Sequence, residues 1–248
     1  MENLIYIVSI DHNLSKTKCS SYVDYCINTW QYWCSKNNVD LIVEKIGDEK
    51  FGNVMWNKTN IAEIGKKYKK IGIVDTDTMI RWDSPNIFET YDDEFCGVVD
   101  TSDYRWILNS INVYNKFFPD VKLNVDNYIN SGVMFFTSDH LFLFDQLQKF
   151  YFNNKYELDN WNKGVGTDQT LINQHIIKNN VKQKILDPCW NLIDIHKKDM
   201  FKHNWQLNID QIPHFIKYGY IWHFTGFDPK NREDLMNQTW HSTKHLYK

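Results

Sequence analysis

Short apolar runs of strand length alternate along this chain with longer stretches in which apolar residues recur every three or four positions. Residues 4 to 10, with Ile5, Ile7, Val8 and Ile10, read as a first core strand closing in a polar loop at Asp11-His12-Asn13. Residues 20 to 36 place Tyr22, Val23, Cys26, Ile27, Trp30 and Trp33 on one helical face, with Lys36-Asn37-Asn38 as the stop. Residues 39 to 43 form a second strand, and Ile61, Ile64 and Tyr68 mark a second helix leading to the buried run 71 to 74. Strand, helix, strand, helix, strand in this order predicts a parallel α/β sheet with right-handed crossovers.

Beyond that run, Pro85 is placed at the first turn of a short helix through Glu89, and residues 95 to 99 form another strand ending at Asp100. Residues 101 to 127, rich in Asn and aromatics, suit either a lid or acceptor-side insertion or a plain helix. Residues 128 to 136 read as a loop turning into a strand, followed by a helix capped by Ser138 or Asp139 with Leu143, Leu147, Phe150 and Tyr151 on one face. A glycine-containing loop, 164 to 167, leads to a helix striped by Leu171, Ile172, His175 and Ile176 and stopped at Asn179-Asn180; residues 220 to 224 are the last strand.

Composition narrows the partners. A chain of 248 residues, 42% hydrophobic and 16% aromatic, suffices for one large core. Its net charge of -3 gives no basis for a nucleic-acid or anionic-membrane partner. The five cysteines, 19, 26, 34, 96 and 189, form no C-x-x-C pair and fit a reducing compartment as core thiols. No apolar run approaches the roughly 18 residues of a membrane span, and the start lacks the basic residues of a secretory signal, so a soluble cytoplasmic protein is expected. On that basis the sequons at Asn13, Asn57 and Asn237 are chance matches.

The candidate chemistry begins where Ile71-Gly72-Ile73-Val74 runs into Asp75-Thr76-Asp77. Continued as a strand, this segment would aim Asp75 and Asp77 to one side and Thr76 to the other. Two ionised acids ending a core strand need a counter-charge, which a divalent cation supplies. The same triplet also suits a turn leaving a strand. Three further stretches each carry a bland and a chemical reading: Asn130-Ser131-Gly132 (strand-initiating turn or ligand loop), Asp168-Gln169 (helix-terminus stabilisation or site residues) and His223-Phe224-Thr225-Gly226 (core histidine or metal ligand). The phosphotransfer motif of haloacid dehalogenases is disfavoured, because Met79 stands where that motif has Thr or Val. His241 and His245 have helical metal spacing without carboxylate support.

In this order and at these separations, the four stretches resemble the glycogenin-like family 8 glycosyltransferases of the GT-A fold, over residues 4 to about 230. The resemblance implies a single α/β glycosyltransferase domain across 1 to 248, with a mostly parallel Rossmann-like sheet flanked by helices and residues 231 to 248 as a tail. It implies that Asp75, Asp77 and His223 hold a divalent ion on the diphosphate of a nucleotide sugar. Oxygen donors suit Mg²⁺ or Mn²⁺, and the imidazole favours Mn²⁺. Asn130, Ser131 and Gly132 would line the donor sugar, with Asp100 near it. Asp168 would accept sugar hydroxyls and Gln169 would lie beside the anomeric carbon, making these the catalytic pair. Lys58 would touch the donor. Thr76 and Gly226 would complete its surface, and Lys230, one place later than the family's lysine, would meet the diphosphate. Asp11 would sit near the uracil.

The implied activity is metal-dependent, retaining transfer of a hexose from a nucleoside diphosphate donor, UDP-hexose above all, to a hydroxyl of a glycan, protein or lipid-linked acceptor. Two alternatives stay open: an inverting GT-A enzyme with Asp168 as general base, and a non-catalytic module binding glycans or nucleotide sugars through aromatics such as Trp106 and Trp161.

Overall fold

Apolar side chains fill both faces of the central strands, as a sheet covered by helices on two sides requires. In β1 (Asn3–Val8), Leu4 and Tyr6 enter one core while Ile5 and Ile7 enter the other. β3 (Lys70–Val74) sends Ile71 and Ile73 to the first and Val74 to the second, and β6 (Ile129–Thr137) divides Met134 and Phe136 from Val133 and Phe135 in the same way. The computed structural model describes residues 2–10, 22–160, 168–193, 195 and 214–248.

The six-stranded sheet runs in the order β2 (Asp40–Glu44), β1, β3, β6, β5 (Phe95–Val99), β7 (Gln183–Ile185). β2, β1 and β3 are mutually parallel, β5 and β7 are parallel, and β6 runs antiparallel to its neighbours β3 and β5. The predicted α/β architecture, a mostly parallel sheet flanked by helices, is therefore the observed one. A separate antiparallel ribbon joins β4 (Thr78–Ile80) to β8 (Ile221–His223), pairing Thr78 with His223.

On one face lies α1 (Tyr22–Asn37), which buries Cys26, Thr29, Trp30, Trp33 and Cys34 at helical spacing. Its indoles are anchored: Trp30 Nε1 donates to Thr78 Oγ1 at 3.0 Å and Trp33 Nε1 to the Ser84 carbonyl at 3.1 Å. Asn38, at φ 56°, ends the helix in the left-handed conformation that Asn tolerates. α7 (Pro229–Thr243) packs on α1 through Tyr25 and Trp240, whose rings stack at 5.9 Å. Residues 231 to 248, expected as a tail, thus include most of a helix with Leu235 and Met236 buried. The opposite core holds α2 (Ile61–Ile64), α4 (Leu141–Asn153) and α6 (Gln169–Lys178), with α3 (Tyr104–Tyr114) against α6. A short α5 (Lys155–Asp159) follows α4.

Several local expectations are corrected. Residues 101 to 127 contain a helix, α3, which Asp103 caps by accepting from Arg105 N at 2.8 Å and Trp106 N at 3.2 Å. Pro85 precedes its helical turn rather than starting it; Asn86 takes the Phe88 N–H and caps Ile87–Glu89. The cap expected at Ser138 or Asp139 is Thr137, which forms a capping box with His140. Ile129 already belongs to β6, where it pairs with Val99 of β5, and the Asn173 side chain bonds both its N–H and its carbonyl at 2.8 Å. Tyr68 lies beyond the second helix, in extended backbone.

Asn57 is buried and its amide is committed to Val54 and Asp48, so that sequon offers no accessible acceptor. Cys26, Cys34 and Cys96 are buried free thiols, and burial pushes Cys96 up to about 12. Cys19 and Asn13 lie outside the described residues. Among the described residues, no helix is long and apolar enough to cross a membrane.

Candidate functional site

Four segments meet at the carboxyl end of β3. Asp75 to Thr78 is a β-turn rather than a continued strand: the Asp75 carbonyl accepts the Thr78 N–H at 3.1 Å and its hydroxyl at 2.7 Å. The two acids share a side through this turn and not through the strand's period of two, and Thr76 is half-buried between them. β6 runs alongside, with Asp75 N donating to the Gly132 carbonyl at 2.8 Å. The β4 and β8 ribbon returns His223 to the same place, and Phe224 N donates to the Asp77 carbonyl at 2.8 Å. The segment around Leu192 completes the set, bonded to β8 on both sides through Ile221 and His223.

Asp75, Asp77 and His223 each offer a ligand atom, and these atoms lie within 4.8 Å of one another. His223 Nε2 is 3.2 Å from Asp77 Oδ1. An octahedral ion with bonds of about 2.1 Å sets neighbouring donors about 3 Å apart, so this spacing suits a shared cation. Gly132 keeps the space clear: a Cβ there would stand 2.3 Å from His223 Cε1 and 3.0 Å from Asp75 Oδ2. The donor set and the cradle therefore fit a divalent ion.

The surrounding charges are paired closely. Lys58, 3% exposed, sits 2.8 Å from Asp75 Oδ1 and 3.1 Å from Asp168 Oδ2. Burial lowers its pKa, but the Asp168 and Asp75 carboxylates outweigh that and hold the ammonium above its ordinary value. Burial pushes Asp75 up, opposed by Lys58 and reinforced by Asp77. Asp77 is held below the usual carboxylate range, because His223 and Arg232 overcome its burial. Arg232 Nη1 lies 3.4 Å from Asp77 Oδ2, while Nε and Nη2 bond the Phe224 and Phe227 carbonyls.

A second network, built around side-chain amides, adjoins the first. Gln169, the first residue of α6, donates to Asp100 Oδ2 at 2.8 Å and accepts from Ser131 N at 3.1 Å and Asn130 Nδ2 at 3.2 Å. Asp168 makes no side-chain capping bond to its helix; its Oδ2 meets Lys58 and, at 3.4 Å, Ser131 Oγ. Asp100, 2% exposed, also accepts from Asn130 Nδ2 at 3.1 Å.

Taken together, Lys58, Asp75, Asp77, Asp100, Asn130, Ser131, Gly132, Asp168, Gln169 and His223 form one contiguous constellation. Gly226, at φ 79°, is exposed in the turn after β8, and Lys230 is exposed at the start of α7. The basic residue on α7 that reaches the acids is Arg232, one the sequence did not single out. Asn191, fully buried between Asn130 and His223, was missed as well. Asp11 and Trp161 lie outside the described residues.

Comparison with solved structures bears on this arrangement. The chain superposes on a glycosyltransferase involved in glycosylation of the major capsid of PBCV-1, with a TM-score of 0.61, 14% identity, and coverage of 94% of this chain and 98% of that one. The chain has a glycosyltransferase fold. WbbM, a bifunctional glycosyltransferase in its apo form, matches with a TM-score of 0.58 at 14% identity, over 98% of this chain and 50% of WbbM. GlyE of Streptococcus pneumoniae TIGR4, a glycosyltransferase, gives 0.54 at 14% identity, over 98% of this chain and 64% of GlyE. No protein-family model and no curated protein matches the sequence. Within this glycosyltransferase fold, the constellation lies at the carboxyl edge of the parallel strands, where α/β sheets bind ligands.

Proposed function

We propose that this chain is a metal-dependent, retaining glycosyltransferase, similar to the glycogenin-like family 8 enzymes, that transfers a hexose from a UDP-sugar to a hydroxyl acceptor. The observation that carries the reading is the convergence of Asp75, Asp77 and His223 on one point beside the Asp100, Asn130, Asp168 and Gln169 cluster, within a glycosyltransferase fold.

Asp75, Asp77 and His223 would hold Mn²⁺ or Mg²⁺, which when bound offsets negative charge on the donor's diphosphate. Lys58 and Arg232 bring fixed positive charge to the same edge. Asp100 and Asp168 present carboxylate oxygens to sugar hydroxyls, and the Asn130 and Gln169 amides hold the sugar's orientation. Gln169 is a poor nucleophile, so front-face substitution is the route these residues support. The acceptor oxygen bonds to the anomeric carbon on the face the diphosphate leaves, the carbon to phosphate-oxygen bond breaks, and the acceptor proton passes to the departing oxygen. Asp168 as the base of an inverting reaction has less support, because its Oδ2 is bound to a buried ammonium.

The test is release of nucleoside diphosphate from a panel of nucleotide sugars with Mn²⁺ or with chelator. Turnover of a UDP-hexose that chelator abolishes, and that Asp77→Ala abolishes while its circular dichroism is unchanged, supports the reading. Chelator-insensitive turnover, or none with any donor, refutes it. The anomeric configuration of the product decides between retention and inversion.

A further inference from the structure

Asn191 is 0% exposed and bonds through both ends of its amide, and the direction of those bonds can be traced from a fixed point. The Gly132 N–H can only donate, so the Asn130 atom it meets at 2.9 Å is Oδ1. Asn130 Nδ2 accordingly faces the acceptors Asp100 Oδ2 at 3.1 Å and Gln169 Oε1 at 3.2 Å. Asn191 meets the same Asn130 Oδ1 at 3.1 Å and must present Nδ2 there. Its Oδ1 is thereby turned to His223 Nδ1, 3.0 Å away. An amide oxygen only accepts, so the hydrogen of a neutral His223 resides on Nδ1 and the lone pair on Nε2. That lone pair faces the Asp75 and Asp77 carboxylates.

We propose that Asn191 is a positioning residue that locks His223 in the Nδ1–H tautomer, so that Nε2 is a ready-made cation donor before any ion arrives. The proposal rests on the reading of Asp75, Asp77 and His223 as a cation site. It also makes Asn191 the link between the two halves of the constellation: its Oδ1 sets the histidine and its Nδ2 sets Asn130. Without it, a neutral His223 gains by moving its hydrogen to Nε2 and donating to Asp77 Oδ1, which is 3.2 Å away. That tautomer cannot ligate through Nε2 until the hydrogen is moved.

The tautomer is read directly from long-range ¹H–¹⁵N imidazole spectra of metal-free, ¹⁵N-labelled protein, with the pH raised until the spectra stop changing. His223→Gln identifies the signal. Wild type should show the Nδ1–H form, and Asn191→Ala the Nε2–H form. Mn²⁺ affinity, from the electron paramagnetic resonance signal of free Mn²⁺, should fall about 10- to 100-fold in Asn191→Ala, as is typical when a ligand's hydrogen-bond partner is lost. Asn191→Asp keeps an acceptor for Nδ1–H. It should retain the wild-type tautomer and bind Mn²⁺ at least about tenfold more tightly than Asn191→Ala. An Nε2–H form in wild type overturns the proposal, as does Asn191→Ala that is merely less stable with the tautomer unchanged. If Asn191→Ala does not fold, the wild-type and Asn191→Asp spectra decide the matter. Wild-type protein that binds no Mn²⁺ defeats the cation reading itself, and the tautomer measurement still decides the role of Asn191.

Discussion

Gly132→Ala is the sharpest perturbation of the site, because its consequence follows from distances alone. The added methyl would lie 2.3 Å from His223 Cε1, 3.0 Å from His223 Nε2 and 3.0 Å from Asp75 Oδ2. Carbon atoms rest about 3.5 to 4.0 Å apart, so either the imidazole or β6 must yield by more than about 1 Å. The imidazole is held by Asn191 and β6 is hydrogen-bonded to neighbours on both sides, so neither moves freely. Overpacking of this kind costs about 1 to 3 kcal/mol of stability. A displacement near 1 Å at a reacting centre costs about a hundredfold in rate. Urea unfolding measures the first effect, and Mn²⁺ titration with donor turnover measures the second. Gly72→Ala is the control: its Cβ would strike Ile5 Cδ1 at 2.6 Å and Phe135 Cδ1 at 2.8 Å, within the core. It should lose comparable stability and keep its Mn²⁺ affinity. Gly132→Ala with wild-type affinity and turnover would refute the cradle.

Three further outcomes are expected. Lys58→Met leaves Asp75 and Asp168 facing each other without their buried ammonium and should cost about 3 to 5 kcal/mol in urea unfolding; a loss below about 1 kcal/mol would show that the pair is not held by Lys58. Burial lowers His175 from 6.5 to about 4, so the unfolded chain takes up its proton at higher pH than the folded one does. Stability should therefore fall by about 3 kcal/mol as pH drops from about 6.5 to about 4, and His175→Gln should lose that part of the slope. Arg232→Ala releases Asp77 and two carbonyls and should raise the KM for the nucleotide sugar about tenfold or more, since charge-assisted bonds contribute about 1.5 to 3 kcal/mol; an unchanged KM would exclude Arg232 from the donor site.

Residues such as Ile5, Ile71, Ile73 and Phe135 revealed the sheet because strands buried on both faces are written as unbroken apolar runs. Asn38 and Asn180, with φ of 56° and 51°, likewise marked their helix ends, since Asn is among the few residues that accept that backbone cheaply. Helix α3 was harder to read. Its buried Ile107, Ser110 and Tyr114 share a face, but exposed Tyr104 and Leu108 blur the apolar period. The acids, His223 and the Asp168-Gln169 pair were legible as a set by resemblance, and no local pattern could have joined them. Asn191 and Arg232 were not legible at all. Each is one polar residue in a mixed stretch, and its importance arises only from where the β8 ribbon and α7 bring it.

That ribbon has a consequence for how the protein is made. All six strands of the central sheet are encoded by residue 185, whereas His223 and Arg232 follow on β8 and α7. A chain growing from its amino end can therefore complete its main sheet and hold Asp75 against Lys58 while it still lacks His223 and Arg232. Until the ribbon closes, the acid pair lacks both the imidazole and the arginine, so the candidate cation site is the last part of the fold to be assembled.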